Sequence, residues 1–172
     1  SFLPTTGEAS LLGARVGDQT KPSLSLAPAG EAGLGGFAAW QDNAVGPRLN
    51  VMAQPLGSDL KPYGSPFQVN VGSAGVQQNP RVALLQNRGA VFVWQGGPQN
   101  LPRIYTRWLS PALNWLTSDT PASQSASTLQ ENPDLASLTN GNVVVVWSSL
   151  DQSSPGLPHA VMARIFSPQG AA

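Results

Sequence analysis

The fold is decided by residues 132–147, which read NPDLASLTNGNVVVVW. Two segments of strand-forming residues flank an Asn-Gly pair, and this arrangement is a strong signal for a β-hairpin with a tight turn. Residues 79–94 read NPRVALLQNRGAVFVW and keep the same spacing from proline to tryptophan. A looser version, with a longer glycine-rich connection, occupies residues 21–40. The sequence therefore predicts a pair of strands that occurs three times.

Two further landmarks share the spacing of these hairpins. Trp40, Trp94 and Trp147 lie 54 and 53 residues apart, and a glutamine stands three residues before each proline. Internal repeats of roughly 20–50 residues are typical of solenoids and propellers. We predict one all-β repeat domain with units at residues 19–76, 77–129 and 130–172, the last of which lacks its final strand. Residues 1–18, and in particular 11–16, are predicted to supply that missing strand as a closing strand.

The segments that end in tryptophan are apolar without alternation, as in residues 90–94 and 143–147. A strand in a one-sided sheet alternates, so a continuous apolar run indicates cover on both faces. Four-stranded sheets stacked face to face, each covered by its neighbours, are the blades of a β-propeller. No helix is predicted, because Pro or Gly interrupts most windows of helical length.

The pattern as a whole resembles the repeats of bacterial β-propellers found in exported and surface proteins. It consists of Gln-x-x-Pro, an apolar strand, Asn-Gly or Gly, an apolar strand ending in Trp, and a strand such as VMARIF at residues 161–166. The resemblance covers nearly the whole chain and implies the fold. It transfers no catalytic residue, because such families include lectins, hydrolases and interaction scaffolds.

Three blades do not close a ring, since propellers typically have 4–8. One interpretation is a head-to-tail dimer that forms a six-bladed propeller, in which the N-terminal strand of each copy completes the last blade of the other. Another is that the chain is part of a larger propeller. A β-trefoil or β-prism with pseudo-threefold symmetry is the alternative fold, since three units of this length suffice for it.

Composition limits the partners. Charged residues make up 10% of the chain, net charge is zero, and no Lys or Arg cluster is present, which argues against nucleic acid and anionic membrane surfaces. With no cysteine and one histidine, His159, we predict no metal and no cofactor. No apolar run reaches the roughly 18 residues of a membrane span, so membrane insertion is not expected. Low charge with abundant small polar residues favours an extracellular, cell-surface or periplasmic protein.

Candidate ligand-binding side chains come from three sources: the repeated glutamines, the variable loops after the tryptophan strands, and two tryptophans outside the repeat. They are Gln19, Gln77, Gln130, Asp42, Asn43, Asn100, Asp151, Trp108 and Trp115. Variable loops on a regular frame commonly carry specificity. The repeated glutamines also fit a structural role, as amides bonded to the turn backbone, and the repeated tryptophans are expected to be core residues.

No catalytic pattern accompanies these candidates. The chain has no Gly-x-Ser-x-Gly elbow, no calcium loop and no repeated pair of carboxylates. The sequence therefore predicts a non-enzymatic interaction or structural module that binds a protein partner, or itself, through propeller loops or open blade edges. The alternatives are a glycan-binding lectin and a fragment of a larger propeller enzyme.

Overall fold

A computed structural model describes residues 10–28, 33–44, 48–72, 74–151 and 159–170. Within these ranges the chain forms eleven β-strands and no helix, and accordingly no helix there could cross a membrane. The strands are β1 Gln19–Leu26, β2 Leu34–Asp42, β3 Asn50–Gly57, β4 Phe67–Gln68, β5 Gln78–Leu84, β6 Ala90–Gly96, β7 Arg103–Leu109, β8 Thr120–Pro121, β9 Thr128–Ser137, β10 Val143–Asp151 and β11 Ala160–Phe166.

The strands form three antiparallel sheets in which neighbours in sequence are neighbours in space. Blade 1 has the order β1-β2-β3-β4, blade 2 the order β5-β6-β7-β8, and blade 3 the order β9-β10-β11. The first strands of successive sheets contact each other, β1 with β5 and β5 with β9. We call β1, β5 and β9 the inner strands. These stacked up-and-down sheets are propeller blades, so the predicted fold class is confirmed, and the β-trefoil and β-prism alternatives are not what the chain adopts.

Two hydrophobic clusters hold the blades together, and β6 contributes to both. Phe92 and Trp94 face blade 1 and pack with Phe37, whereas Val91 and Val93 face blade 3. Alternate residues of one strand point to opposite faces. A strand that is covered on both sides therefore requires the uninterrupted apolar run observed in its sequence.

Two of the repeated tryptophans, Trp94 and Trp147, lie in these clusters. Trp94 is completely buried, and Trp40 and Trp147 are nearly so. The structure thus places all three in the interior, where the sequence led us to expect core residues.

Each inner strand carries a β-bulge immediately before its proline. Lys21, Asn79 and Asn132 have φ of 54°, 52° and 52°, in the left-handed region. The register of the inner strand shifts at this point in all three blades. A bulge tolerates the missing N–H of proline. Pairing continues on both sides of the bulge, and the inner strands therefore begin several residues earlier than the proline alone suggests.

Lys21 is the exception among these left-handed residues, because asparagine tolerates that conformation better than lysine does. We expect Lys21→Asn to raise the free energy of unfolding by up to about 1 kcal/mol. The matched change Asn79→Ala should lower it by about 1 kcal/mol or more, since it also removes the Asn79 amide. Urea denaturation of both variants measures this, and equal effects of the same sign would contradict the expectation.

Residues 11–16, predicted to supply a closing strand, form no strand within this single chain. Gly13 and Gly17, at φ of 67° and 78°, interrupt any extended run there. The following residue, Asp18, donates its backbone N–H to Asn43 Oδ1 at 2.6 Å, which ties this segment to blade 1. The outer edge of β11 therefore has no fourth strand among the described residues.

After β7, residues 114–118 do not form the outer strand of blade 2. Only Trp115 forms a bridge there, to Leu109, and the paired strand β8 lies further along. The reason is local: the backbone N–H of Trp108 donates to the hydroxyl of Thr117 at 3.1 Å rather than to a backbone carbonyl. A side chain has replaced one step of the ladder.

Candidate functional site

Most of the candidate residues lie at one end of the blades. At this end each inner strand begins and the strand that follows it in the blade finishes. Gln19 accordingly pairs with Asp42, and Thr128 pairs with Asp151. We call it the upper rim. Trp108 and Trp115, on and after β7, belong to the interior between blades instead.

The glutamines of the upper rim hold the chain where it enters each blade. Gln77 accepts a hydrogen bond from Trp94 Nε1 at 2.8 Å and donates to the carbonyl of Ala74 at 2.9 Å. Gln130 accepts from the backbone N–H of Ile104 at 3.1 Å. Both amides are buried. Both side-chain amides therefore bond to groups of the protein itself. This is the structural role expected of an amide that holds a turn.

Gln19 differs from the other two glutamines because it is only partly buried. Its amide donates to the carbonyls of Val16 and Gly17 at 3.0 and 3.1 Å. It therefore anchors the segment that precedes β1. The tryptophan of blade 1 does not donate to the repeated glutamine as Trp94 does. Trp40 Nε1 donates to Asp42 Oδ2 at 3.0 Å instead.

Asp42 and Asn43 are likewise occupied by local bonds. The second oxygen of buried Asp42 accepts the N–H of Ala44 at 2.7 Å. Asn43 accepts from Asp18 through Oδ1 and donates to its carboxylate from Nδ2 at 3.2 Å. These two side chains shape the connection from β2 to β3.

The remaining loop candidates lie at the same rim. Asn100 is exposed on the connection from β6 to β7. Asp151 ends β10, and its side chain lies outside the described part of the chain. Among the described residues, no three His, Asp or Glu side chains form a group that could hold a metal ion.

The two non-repeated tryptophans are not exposed contacts. Trp108, a candidate on that ground, is completely buried and packs against Phe166, with ring centroids 5.3 Å apart. Trp115 is partly buried and makes edge contacts with Phe67 and Phe92. Both rings fill the space between blades, and their absence from the repeat reflects differences in packing from one blade to the next.

Arg107 extends from blade 2 towards blade 1. Its Nη1 donates to the carbonyl of Val69 at 2.6 Å and its Nε to that of Thr117 at 3.1 Å, while the guanidinium stacks 3.9 Å from the ring of Trp115. Burial lowers the pKa of Arg107, and the charge of Asp119 opposes that shift. The arrangement joins two blades through one side chain.

Next to these turns, a row of polar groups on the inner strands connects each blade to the next. The backbone N–H of Asn79 donates to Gln41 at 3.1 Å and its side-chain amide donates to Gln95 at 3.1 Å. On the same strand, Arg81 Nε lies 3.8 Å from a carboxylate oxygen of Asp134 in the next blade. This row, from blade 1 to blade 3, was missed by sequence reasoning.

Glu131 completes this row on β9. It faces the same side of the strand as Asp134, because the two pair with Ser148 and Val146 of β10. Its carboxylate has no hydrogen bond or ion pair within the part of the chain that the structure describes, whereas Asp134 contacts Arg81. The sequence offers one signal for the contact of Arg81 with Asp134: each is a charged residue directly after the proline of its inner strand.

A cleft of about 480 Å³ lies between blades 2 and 3, lined by Ser123, Gln124, Ser125, Trp147, Met162, Ala163 and Arg164. It is bounded by Arg164, whose Nη1 donates to the carbonyl of Ala122 at 2.9 Å. Its volume is within the roughly 300–1,000 Å³ of ligand-binding clefts.

Comparison with known proteins gives the class of fold to which these blades correspond. The chain is similar to the solved α-L-arabinofuranosidase of Lactobacillus brevis, at 12% identity and a TM-score of 0.57 over 90% of this chain and 55% of that one. It is similar to the endo-arabinase of Bacteroides thetaiotaomicron VPI-5482, at 14% identity and a TM-score of 0.52 over 95% and 60%.

A third similar structure belongs to the GH130 family of mannoside phosphorylases, described as containing glycoside hydrolases that target β-1,2 mannosidic linkages in Candida mannan. It shows 11% identity and a TM-score of 0.53 over 91% of this chain and 51% of that one. The chain thus spans little more than half the length of these solved structures. No protein-family model matches the sequence, and no curated protein does.

These likenesses show a shared all-β propeller-like fold, at identities too low to transfer an activity. They do contradict two predictions from the sequence. The similar structures are glycoside hydrolases and members of a phosphorylase family, which is evidence against a non-enzymatic interaction module and against the prediction that the chain is not an enzyme. The error arose because the sequence argument required a local catalytic motif, whereas carboxylates that act on sugars are brought together from separate positions by the fold.

Proposed function

We propose that this chain is the three-bladed part of a carbohydrate-active propeller, with sugar bound at the upper rim beside β5 and β9. The observation that carries the proposal is Glu131: a carboxylate without a partner among the described residues, on the same strand as Asp134. The shared fold with carbohydrate-active enzymes supports it. Carboxylates, amides and a guanidinium are the groups that hydrogen-bond sugar hydroxyls.

A carboxylate pair is also the chemical equipment of most glycoside hydrolases, in which one acts as acid or base and the other as nucleophile or as base towards water. Asp134 is held by Arg81, 3.8 Å away. Glu131 is the carboxylate available to a sugar hydroxyl or a glycosidic oxygen. Cleavage of the bond belongs to the complete protein in this proposal, since the chain covers 51–60% of the similar structures.

Two further parts of the interpretation go with this function. We infer that the blades are copies of one unit of about 53 residues, bounded at residues 19–76, 77–129 and 130–172, which the three left-handed residues before proline support. An exported location, outside the cell or in the periplasm, fits the low charge of the chain and a polysaccharide ligand.

Substitution of Glu131 tests the sugar site. Isothermal titration of the chain with arabino-oligosaccharides and with β-1,2-mannobiose should give binding to at least one of them, and Glu131→Gln should weaken it by about 10-fold or more through loss of charge-assisted hydrogen bonds. Asp59→Asn is the matched control, because Asp59 is an exposed carboxylate paired with Lys61 in a loop of blade 1. Absence of binding to every sugar, or equal losses in both variants, would refute the site.

A further inference from the structure

The cleft of about 480 Å³ between blades 2 and 3 takes no part in the proposed sugar site. None of the residues that line it is acidic, whereas Arg164 is among them. A second guanidinium, that of Arg103, contacts the same wall through a hydrogen bond from Nη2 to the carbonyl of Ser125 at 3.4 Å. Positive charge in a cleft that has no lining carboxylate favours an anion.

The corresponding interface between blades 1 and 2 holds an anion of the protein itself. There the carboxylate of Asp119 accepts the backbone N–H groups of Val71 and Gly72 at 2.9 and 2.8 Å. Asp119 also lies close enough to Arg107 for its charge to counteract the lowering of the Arg107 pKa by burial. A carboxylate therefore fits this position between two blades.

Arg164 holds in blade 3 the position of Arg107 in blade 2. Each arginine pairs with the residue two positions before the tryptophan of the neighbouring strand. Each donates from Nη1 to a carbonyl of the preceding blade, Arg164 to Ala122 at 2.9 Å and Arg107 to Val69. The guanidinium of Arg164 also lies 5.2 Å from the ring centroid of Phe166. A cation is thus fixed at the same point of both interfaces.

No carboxylate of the described residues takes the place of Asp119 in this cleft. Counted back from the repeated glutamine, Gln124 and Ser125 stand where the two residues bound by Asp119 stand. Ser125 donates its N–H to the hydroxyl of Ser123 at 3.0 Å, whereas the N–H of Gln124 has no hydrogen bond within the described residues. Arg164 forms no ion pair with any residue that the structure describes. The donors are present and the acceptor is missing.

Trp147 adds a further donor without an acceptor. It lines the cleft, is 5% exposed, and its Nε1 is buried with no hydrogen-bond partner among the described residues. In the other two blades the repeated tryptophan donates to Asp42 or Gln77. The oxygen of Gln130 instead accepts the backbone N–H of Ile104. An unsatisfied buried donor costs free energy, and an acceptor bound beside the ring would remove that cost.

The cleft is also wider than its counterpart between blades 1 and 2, which has a volume of about 180 Å³. Met162 pairs with Trp147 as Tyr105 pairs with Trp94. Tyr105 stacks on its tryptophan with ring centroids 6.0 Å apart, whereas Met162 is 44% exposed. The more adaptable methionine and the missing carboxylate together leave room for a small organic molecule.

We propose that the cleft between blades 2 and 3 binds a small ligand through a carboxylate group, which takes the place that Asp119 fills between blades 1 and 2. A carboxylate accepts about four hydrogen bonds, so it can serve Arg164 and the N–H of Gln124 together. Trp147 and Met162 form the apolar wall for the rest of the ligand. An acidic sugar and a free carboxylic acid both carry the required group. This inference does not rest on the sugar site at Glu131.

Nuclear magnetic resonance titration of the isotope-labelled chain measures the binding. The indole N–H signal of Trp147, identified by its loss in Trp147→Phe, and the backbone signal of Gln124 should shift to saturation with D-glucuronate, with a dissociation constant of about 1 mM. D-Glucose, which has the same ring without the carboxylate, should leave both signals in place. The indole signals of Trp40 and Trp94 should not move, because their N–H groups already have acceptors.

Substitutions assign the binding to this cleft. Arg164→Gln should raise the dissociation constant of D-glucuronate by about 10-fold or more, because the charge-assisted hydrogen bond is lost. Arg15→Gln, at an exposed arginine before β1, is the matched control and should leave it unchanged. Gln124→Glu is an independent check at an exposed position, since its carboxylate should repel the ligand and weaken binding by about 10-fold or more. Gln124→Ala keeps the backbone N–H and should bind as the wild type does.

Acetate distinguishes the two sources of the carboxylate. Equal affinity for acetate and D-glucuronate identifies small carboxylic acids in general, and weaker binding of acetate identifies an acidic sugar whose ring contacts the cleft. No saturable shift with either at about 50 mM, or equal dissociation constants in wild type and Arg164→Gln, would overturn the proposal. The neutral oligosaccharides that test Glu131 carry no carboxylate, so failure of one proposal is distinct from failure of the other.

Discussion

Replacement of Trp94 by alanine should lower the free energy of unfolding by about 3–5 kcal/mol, the usual cost of truncating a buried tryptophan. Trp94 is completely buried between blades 1 and 2 and stacks on Tyr105, with ring centroids 6.0 Å apart. Its Nε1 donates to Gln77 at 2.8 Å. Alanine leaves a cavity and also leaves the buried Gln77 amide without its donor, so both losses contribute.

Trp94→Phe separates these two contributions. Phenylalanine retains most of the apolar volume but has no N–H for Gln77, and we expect a loss of about 1–3 kcal/mol, the cost of an unsatisfied buried group. Urea unfolding followed by circular dichroism measures both variants. If Trp94→Ala costs less than about 1.5 kcal/mol, the tryptophan is not the anchor between blades that its burial indicates.

The second large effect is expected at Arg107. Arg107→Lys should lower the free energy of unfolding by about 2–3 kcal/mol, although it keeps the charge, because lysine lacks the planar fork that serves two acceptors at once. The acceptors are the carbonyls of Val69 and Thr117, and the guanidinium also stacks on Trp115. One of the two carbonyls would lose its charged donor.

Arg15→Lys is the control for this substitution, since Arg15 is exposed in the segment before β1. It should change stability by less than about 0.5 kcal/mol, as is usual for surface positions. Equal effects at Arg107 and Arg15 would show that the guanidinium geometry contributes nothing. A loss at Arg107 that disappears at high salt would indicate a screened surface charge rather than a buried one.

The blades could be predicted from the sequence because their signals are local. Residues 90–94 are apolar without interruption and completely buried, as a strand that is covered on both faces requires. The tryptophan at the end of the run and the turn before it fix the register of the hairpin. These features depend on near neighbours in the chain.

The failures of prediction involve contacts between distant residues. Nothing local shows that Asp18 bonds to Asn43, or that the hydroxyl of Thr117 replaces a ladder carbonyl for Trp108. The residues of the proposed sugar site were not among the sequence candidates for the same reason. Gln77 and Gln130 were conspicuous because they recur, and they recur because each blade needs its turn held. Arg81 and Asp134 differ between blades and are brought together only by the fold.

The hydroxyls of Ser23 and Ser25 have a consequence for aggregation. They accept the backbone N–H groups of Val82 and Leu84 at 3.2 and 2.9 Å, along the side of β5 that has no neighbouring strand in its own sheet. A free strand edge is a template on which another chain can add a strand. Two serines of the preceding blade occupy those donors, so the stacking of blades also protects the sheet edge against the addition of foreign strands.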